Sequence, residues 1–335
     1  MSTFTHYQTA HCENGVTVGL LRQHGLDFMT EPLAFGIGSG LFYIDIPFLQ
    51  INGGPAISFR TMPGSIFKRT CKALDVKVIR KKFRNQDEAM NFLDMRLEEG
   101  LDIGCQVGVF HLPYFPKEYR FHFNAHNLIV FDKIDNDYLV SDPVMEHTTR
   151  MTYEELKKVR FAKGALAPRG QIYYPLGINT ISDEQLRTAI VRGIKRNCKD
   201  MLTIPASMIG VKGIVHTSKK VRKWREKLGV RRAALNLGQI VRMQEEIGTG
   251  GGGFRFLYAA FLEEAAVILQ KDDLLSVSEQ FTKAGDLWRD SAFQMSGIFK
   301  GRLTEQKDFE SCADLMVEIS EVEKKAFQEL SKIKF

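Results

Sequence analysis

The sequence predicts an α+β domain over residues 1–176 followed by an all-α domain over residues 177–335. Its 335 residues are enough for about two domains, each burying its own core. Residues 1–176 mix short helical patterns with apolar, strand-like runs at 76–79, 105–109 and 128–131. After Pro175 helical spacing fills nearly everything, and Pro205 is the one further proline.

Each element follows from local signals. From Cys12 to His24, Val16, Leu20 and Leu21 recur at helical spacing, and Gly25 stands where a glycine ends a helix. The run 126–131 reads as a strand; Asp135-Asn136 signals a turn, and 138–142 is the returning strand, stopped by Pro143. Ser182 with Gln185 forms a capping box opening a helix to about residue 201. Further helices are expected over 213–227, 235–247, 254–270, 276–299 and 304–333.

Composition narrows the class. A hydrophobic share of 44% with 26% charged residues is that of an ordinary globular protein rather than a disordered, collagenous or coiled-coil one. No secretory signal is visible, and the apolar stretch 40–51 is broken by Asp45, Pro47 and Gln50. It is too short to span a bilayer, so a soluble cytoplasmic protein is expected. The cysteines Cys12, Cys71, Cys105, Cys198 and Cys312 include no CxxC pair. That pattern predicts neither a disulfide framework nor a metal site.

Cys12 carries the chemistry. At a helix start, free N–H groups and the positive end of the macrodipole favour an anion, which raises the thiolate fraction of a cysteine. A nucleophile needs a base, and His126 opens the strand whose hairpin partner ends near Asp142. Cross-strand neighbours lie about 5 Å apart, so Asp142 can orient the imidazole; His122 is the competing base. Nucleophile, base and orienter in the order Cys12, His126, Asp142 follow the papain-like arrangement. An oxyanion hole would add the Cys12 N–H and a side-chain amide, for which Gln8 is the nearest. Papain-like enzymes often carry glutamine six residues before the cysteine, where this chain has His6.

Two glycine tracts and a basic run add further candidates. Gly36 and Gly38 either permit close backbone approach along an acyl channel or form a structural turn. Gly251 and Gly252 precede a helix near Phe254, where N–H groups and Arg255 could hold a phosphate such as that of phosphopantetheine; a tight loop is the other reading. No GK[ST] follows, which excludes a Walker A loop. Residues 1–176 are nearly neutral, with 20 basic against 19 acidic residues, whereas 177–335 hold 26 against 21. Nine of those cations crowd 212–232 around one acid, Glu226. Arg222, Lys223 and Arg225 there are candidates for docking an acidic partner, if the run is not simply a solvated helix face. Nucleic acid is not expected, since no recognised nucleic-acid motif accompanies the run.

His11-Cys12-Glu13, Thr30-Glu31-Pro32, the stretch 35–43, Leu112-Pro113-Tyr114, Asn124-Ala125-His126 and Val140-Ser141-Asp142-Pro143 resemble the butirosin-biosynthesis protein H family. Gly250 to Arg255, with Tyr258, Phe261 and Glu263-Glu264-Ala265, extends the resemblance downstream. The resemblance implies a papain-like, C39-type N-terminal domain over 1–176 and a helical C-terminal domain over 177–335, for which exclusion of water and the basic run suggest a role as cover or carrier-docking domain. It further implies an acyltransferase with no bound cofactor. The donor would be the phosphopantetheine arm of an acidic acyl carrier protein, and the acceptor a small-molecule amine or hydroxyl in secondary-metabolite or lipid and pigment biosynthesis. A thioesterase or cysteine peptidase with the same triad is the first alternative. A non-catalytic scaffold is the second.

Overall fold

The computed structural model describes residues 4–51 and 53–335. It has the mixed α+β architecture expected, with the larger sheet before residue 176 and only helices among the described elements after it. The chain forms two compact units, 1–34 with 66–185 and 35–65 with 186–335. The single cut expected at 176/177 is therefore corrected: residues 35–65 belong with the helical unit.

Helix α1 (Cys12–Gln23) is followed by α2 (Glu31–Ile37) and by a hairpin of β1 (Leu41–Ile51) and β2 (Gly54–Arg60). The hairpin's polar groups explain its allegiance. Asn197 Nδ2 donates to Leu41 O at 2.6 Å, and the Asp45 N–H to Met208 O at 3.0 Å. The wholly buried Asp45 carboxylate accepts from Lys220 Nζ and Thr217 Oγ1, each at 2.8 Å. Asp45 is the residue that interrupts the apolar pattern of this stretch. Its partners lie some 170 residues away, so no local pattern announces them.

The first unit is built on an antiparallel sheet of order β3-β8-β4-β5-β6-β7. The strands are β3 (Val78–Lys81), β4 (Ile103–Val107), β5 (His126–Ile134), β6 (Asp137–Ser141), β7 (Thr149–Thr152) and β8 (Ile172–Pro175). Strand alternation divides the work between two faces. Leu128 and Val130 of β5, with Ile172 and Tyr174 of β8, join Met90 and Leu93 of α4 (Gln86–Glu98) and Leu156 and Val159 of α5 (Tyr153–Arg160) in one buried core. Asn127, Ile129 and Tyr173 face the other way, where α1 crosses β5. A Cβ at Gly19 of α1 would meet Ile129 at 2.7 Å, so the missing side chain is what lets the helix lie on the strand.

The second unit adds α6 (Asp183–Leu202), α7 (Gly210–Leu228), α8 (Val230–Val241), α9 (Arg255–Leu269), α10 (Asp273–Phe299) and α11 (Gln306–Leu330) to the hairpin. The capping box predicted for α6 is present, with Gln185 N–H donating to Ser182 Oγ at 3.2 Å and Ser182 N–H to Gln185 Oε1 at 2.9 Å. Helix α8 begins five residues earlier than its periodicity indicates, because Gly229 at φ +75° ends α7 and starts α8 without a loop. In the core, Tyr43, Phe59 and Trp288 pack with ring centroids 5.0 to 6.0 Å apart. Beside them Arg255 and Glu323, both fully buried, form a two-point ion pair at 2.8 and 2.9 Å, and Trp288 Nε1 donates to Glu323 Oε1 at 2.7 Å.

Removing one member of such a pair strands a charge in the interior, which costs about 3–5 kcal/mol. Glu323→Ala is therefore expected to lower the denaturant midpoint sharply. Adding Arg255→Met to Glu323→Ala should recover part of the loss, which chemical denaturation of the two variants and the parent would measure.

Candidate active site

Cys12 is the first residue of α1, with His11 as the N-cap whose Nδ1 accepts from Asn14 N–H at 3.4 Å. The approach to the helix is fastened from two sides. The Glu31 carboxylate accepts from Ala10 N–H at 2.9 Å and His11 N–H at 2.8 Å. Burial raises the Glu31 pKa, and these hydrogen bonds pull against it. Glu13, next along the helix and fully buried, accepts from Ile66 N–H at 2.8 Å at the start of α3 (Ser65–Ala73).

Asp142 follows the last residue of β6 and is fully buried. Its Oδ2 lies 2.6 Å from His126 Nε2 and 2.8 Å from the Tyr114 hydroxyl, which donates to it. Oδ1 accepts from Val144 N–H at 3.2 Å. The Cys12 sulfur is near enough to His126 to favour its charged form, and Nε2 is the nitrogen that Asp142 engages. The phenyl ring of Phe115 stands across the imidazole, with centroids 5.4 Å apart at 72°.

A set of links across the sheet brings the thiol and the carboxylate together. Thr9 N–H donates to Pro143 O at 2.7 Å, and His6 spans Ser141 Oγ at 2.8 Å and Met145 O at 3.0 Å. A carbonyl only accepts, so His6 Nε2–H donates to Met145 O, and Nδ1 and the Ser141 hydroxyl share the second hydrogen bond. Gly15 of α1 makes the approach possible, since a Cβ there would meet Thr9 Oγ1 at 2.1 Å and Pro143 at 2.3 Å. His6 thus has a structural part in the site that its sequence position does not disclose.

Burial alone would lower the His126 pKa; the negative charge of Asp142 and the neighbouring Cys12 sulfur overcome it and push the value up to about 10. Burial and the same carboxylate hold the Tyr114 hydroxyl well above its ordinary range, so it remains a donor. The competing base, His122, is exposed and stacked on Phe110 at 4.1 Å.

Several other expectations are corrected. Gln8 is exposed; the side-chain amide at the thiol belongs to Asn127, with Nδ2 3.8 Å from Cys12 Sγ. Gly36 serves packing, because a Cβ there would meet the Phe261 ring at 2.1 Å, and Gly38 lies buried in the turn after α2. Arg255 cannot offer its charge to a phosphate while Glu323 neutralises it in the core. The N–H groups of Gly251 and Gly252 already donate to Thr249 Oγ1 at 3.0 Å and Glu245 Oε1 at 3.1 Å. A carboxylate in that position repels an anion, so the tract is a structural loop. Of the docking candidates, Arg222 pairs with Asp314 and Arg225 Nε donates to Thr304 O at 2.8 Å, whereas Lys223 is exposed.

The raised His126 value gives a signed pH dependence. A group that titrates higher when folded contributes its full stability below its ordinary pKa near 6.5 and loses it as pH climbs toward 10. The denaturant midpoint of the protein should therefore decline from pH 6.5 to 10 through this group, and His126→Gln should remove that part of the decline. Parallel slopes in the two proteins would contradict an imidazolium at this position.

Residues 11–143 match the family model described as butirosin biosynthesis protein H, N-terminal, and residues 154–330, more than half of the chain, match the domain of unknown function DUF4872. No curated protein matches the chain significantly. Among solved structures, a crystal structure described as a putative C39-like peptidase from Bacillus anthracis aligns with 54% of this chain and 98% of its own, at 11% identity and a TM-score of 0.36. A superposition at that score carries no inference about chemistry. The chain belongs to the DUF4872 family, and the match of residues 11–143 to the N-terminal domain of butirosin biosynthesis protein H supports a papain-like cysteine enzyme.

Proposed function

We propose that the protein is a cysteine-dependent acyltransferase that takes an acyl group from a carrier-protein thioester and gives it to a small-molecule amine or hydroxyl. One observation carries the reading: a thiol at the first position of a helix neighbours an imidazole whose Nε2 lies 2.6 Å from a fully buried carboxylate. In this reading Cys12 is the nucleophile, His126 the proton carrier and Asp142 its orienter. The Cys12 thiolate attacks the thioester carbonyl carbon, a new C–S bond forms, and the bond to the phosphopantetheine sulfur breaks. The His126 imidazolium protonates the departing thiolate, so the step exchanges one thioester for another at little net cost. Neutral His126 then takes a proton from the acceptor as its nitrogen or oxygen attacks the acyl-enzyme, and the Cys12 thiolate leaves. Secondary-metabolite or lipid and pigment biosynthesis is the setting in which such donors and acceptors meet.

Intact-protein mass spectrometry after incubation with acyl-carrier thioesters tests this. A single acyl adduct is expected, absent from Cys12→Ala, with turnover in that variant lower by about 10⁴-fold or more. Decay of the adduct only when an amine or hydroxyl acceptor is added distinguishes transfer; spontaneous decay to free acid would identify a thioesterase or peptidase. A protein that forms no adduct would be a binding module.

The basic run supports an acidic donor. Lys212, Lys219, Lys223, Lys227 and Arg231 are exposed on α7 and α8. Lys220 neutralises Asp45, and Arg232 is held by Gly53 O at 2.6 Å. Reversing Lys223 and Lys227 to Glu should slow transfer from a carrier-bound donor by roughly tenfold at low ionic strength while sparing a small soluble thioester. Equal rates with both donors would return the run to a solvated helix face.

A further inference from the structure

Asn127 is the second residue of β5 and, by strand alternation, faces α1 rather than the α4 and α5 core. Its amide is fully committed. Nδ2 lies 3.0 Å from Ala125 O and 3.8 Å from Cys12 Sγ, and Oδ1 lies 2.7 Å from the Tyr173 hydroxyl. These contacts fix which end is nitrogen. Ala125 O can only accept, so a rotated amide would set two oxygens against each other; one Nδ2 proton must go to Ala125 and the second is left for the sulfur. Tyr173 then donates to Oδ1. It remains a donor because burial, with the nearby charges of Glu13 and Cys12, keeps its pKa well above the ordinary range.

The Tyr173 ring is itself held. It packs against Phe67 with centroids 4.7 Å apart, and a Cβ at Gly104 would meet the ring at 2.6 Å. Asn127 and Tyr173 are each only 3% exposed, so water does not compete for these hydrogen bonds. A buried amide proton aimed at a sulfur, with every other polar group of that amide satisfied, favours a charged sulfur over a neutral one, since a donor bonds an anion more strongly than a thiol.

We propose that Asn127 is a catalytic hydrogen-bond donor that stabilises Cys12 as thiolate, and that Tyr173 is the positioning residue that aims it. The inference rests on the reading of Cys12 as nucleophile and adds a group that neither the triad order nor the family matches assign.

The test is the pH dependence of iodoacetamide alkylation, followed by intact mass and by peptide mapping of Cys12. In Asn127→Ala the midpoint of the rate–pH curve should move up by about one unit, a tenfold weaker preference for the thiolate. Tyr173→Phe, which removes one hydroxyl and keeps the ring packing, should move it the same way by a smaller amount, about half a unit. A thermal melt close to that of the parent marks a variant as folded. A folded Asn127→Ala with an unmoved midpoint overturns the proposal. If Asn127→Ala does not fold, an unmoved midpoint in Tyr173→Phe does so. The transfer reading fails separately: if no acyl-carrier thioester loads Cys12 yet both midpoints shift, the thiolate donor stands and the acyltransferase does not.

Discussion

Asp142 has no exposure to water, and a carboxylate in that position is tolerated only where donors surround it. The imidazole of His126, the Tyr114 hydroxyl and the Val144 N–H supply them. Each donor comes from a different stretch of chain, so satisfying one carboxylate fixes the start of β5, the segment after β4 and the turn after β6 relative to one another. The same turn is tied through Pro143 O to Thr9 and through Ser141 and Met145 to His6. The helix start that carries Cys12 is thereby positioned against the imidazole by the groups that stabilise the buried charge, and loss of the carboxylate would loosen both.

The second unit obeys the same rule with different residues, and the rule decides which of its cations are free to do anything else. Asp45 in the hairpin requires Lys220 and Thr217; Glu323 requires Arg255 and Trp288. A cation that neutralises a buried carboxylate is part of the core, whatever its neighbours in sequence. Arg255 and Lys220 are therefore not available as binding residues. The glycine tract before α9 has a comparable explanation: Gly250, Gly251, Gly252 and Gly253 all adopt positive φ, and Phe254 follows them there at +72°. A Cβ at Gly252 would meet the Gly285 backbone at 2.9 Å, so the loop needs glycine for its turn and its packing.

Features that depend on neighbours in sequence are legible in the amino-acid order itself. The helix from Cys12 with its glycine stop, the 126–142 hairpin, the capping box at Ser182 and the run of helices after Pro175 all follow from local spacing and turn chemistry. The hairpin also puts His126 and Asp142 side by side, because strand pairing is a short-range consequence of a tight turn. Long-range pairings are not legible in this way. Asn127 reads as an ordinary interior strand residue, and nothing local distinguishes an amide aimed at a sulfur 115 residues away from one that faces solvent. The same holds for Tyr173, for His6 and for the transfer of 35–65 to the second unit. Gln8 and Arg255 fail for the converse reason: proximity in sequence to a helix start or a glycine tract makes them candidates, and exposure in one case and a buried partner in the other removes them.

The five thiols provide an internal comparison for the chemistry of Cys12. All are buried, and burial disfavours a thiolate. Cys198 and Cys312 show the consequence, with burial pushing each up to about 12, and Cys71 and Cys105 shift in the same direction. Cys105 has no better relief than the charge of Arg160. Cys12 shares the burial and differs in its surroundings: it opens α1, it neighbours the His126 imidazole, and Asn127 Nδ2 lies 3.8 Å from its sulfur. In the proposed reading, Cys12 is distinguished among the five thiols by the groups gathered around its sulfur. Exposure plays little part, since Cys12 is itself only 7% accessible. That leaves Cys12 in a dry site, where each of those groups acts in a low dielectric and is worth more than it would be at the surface.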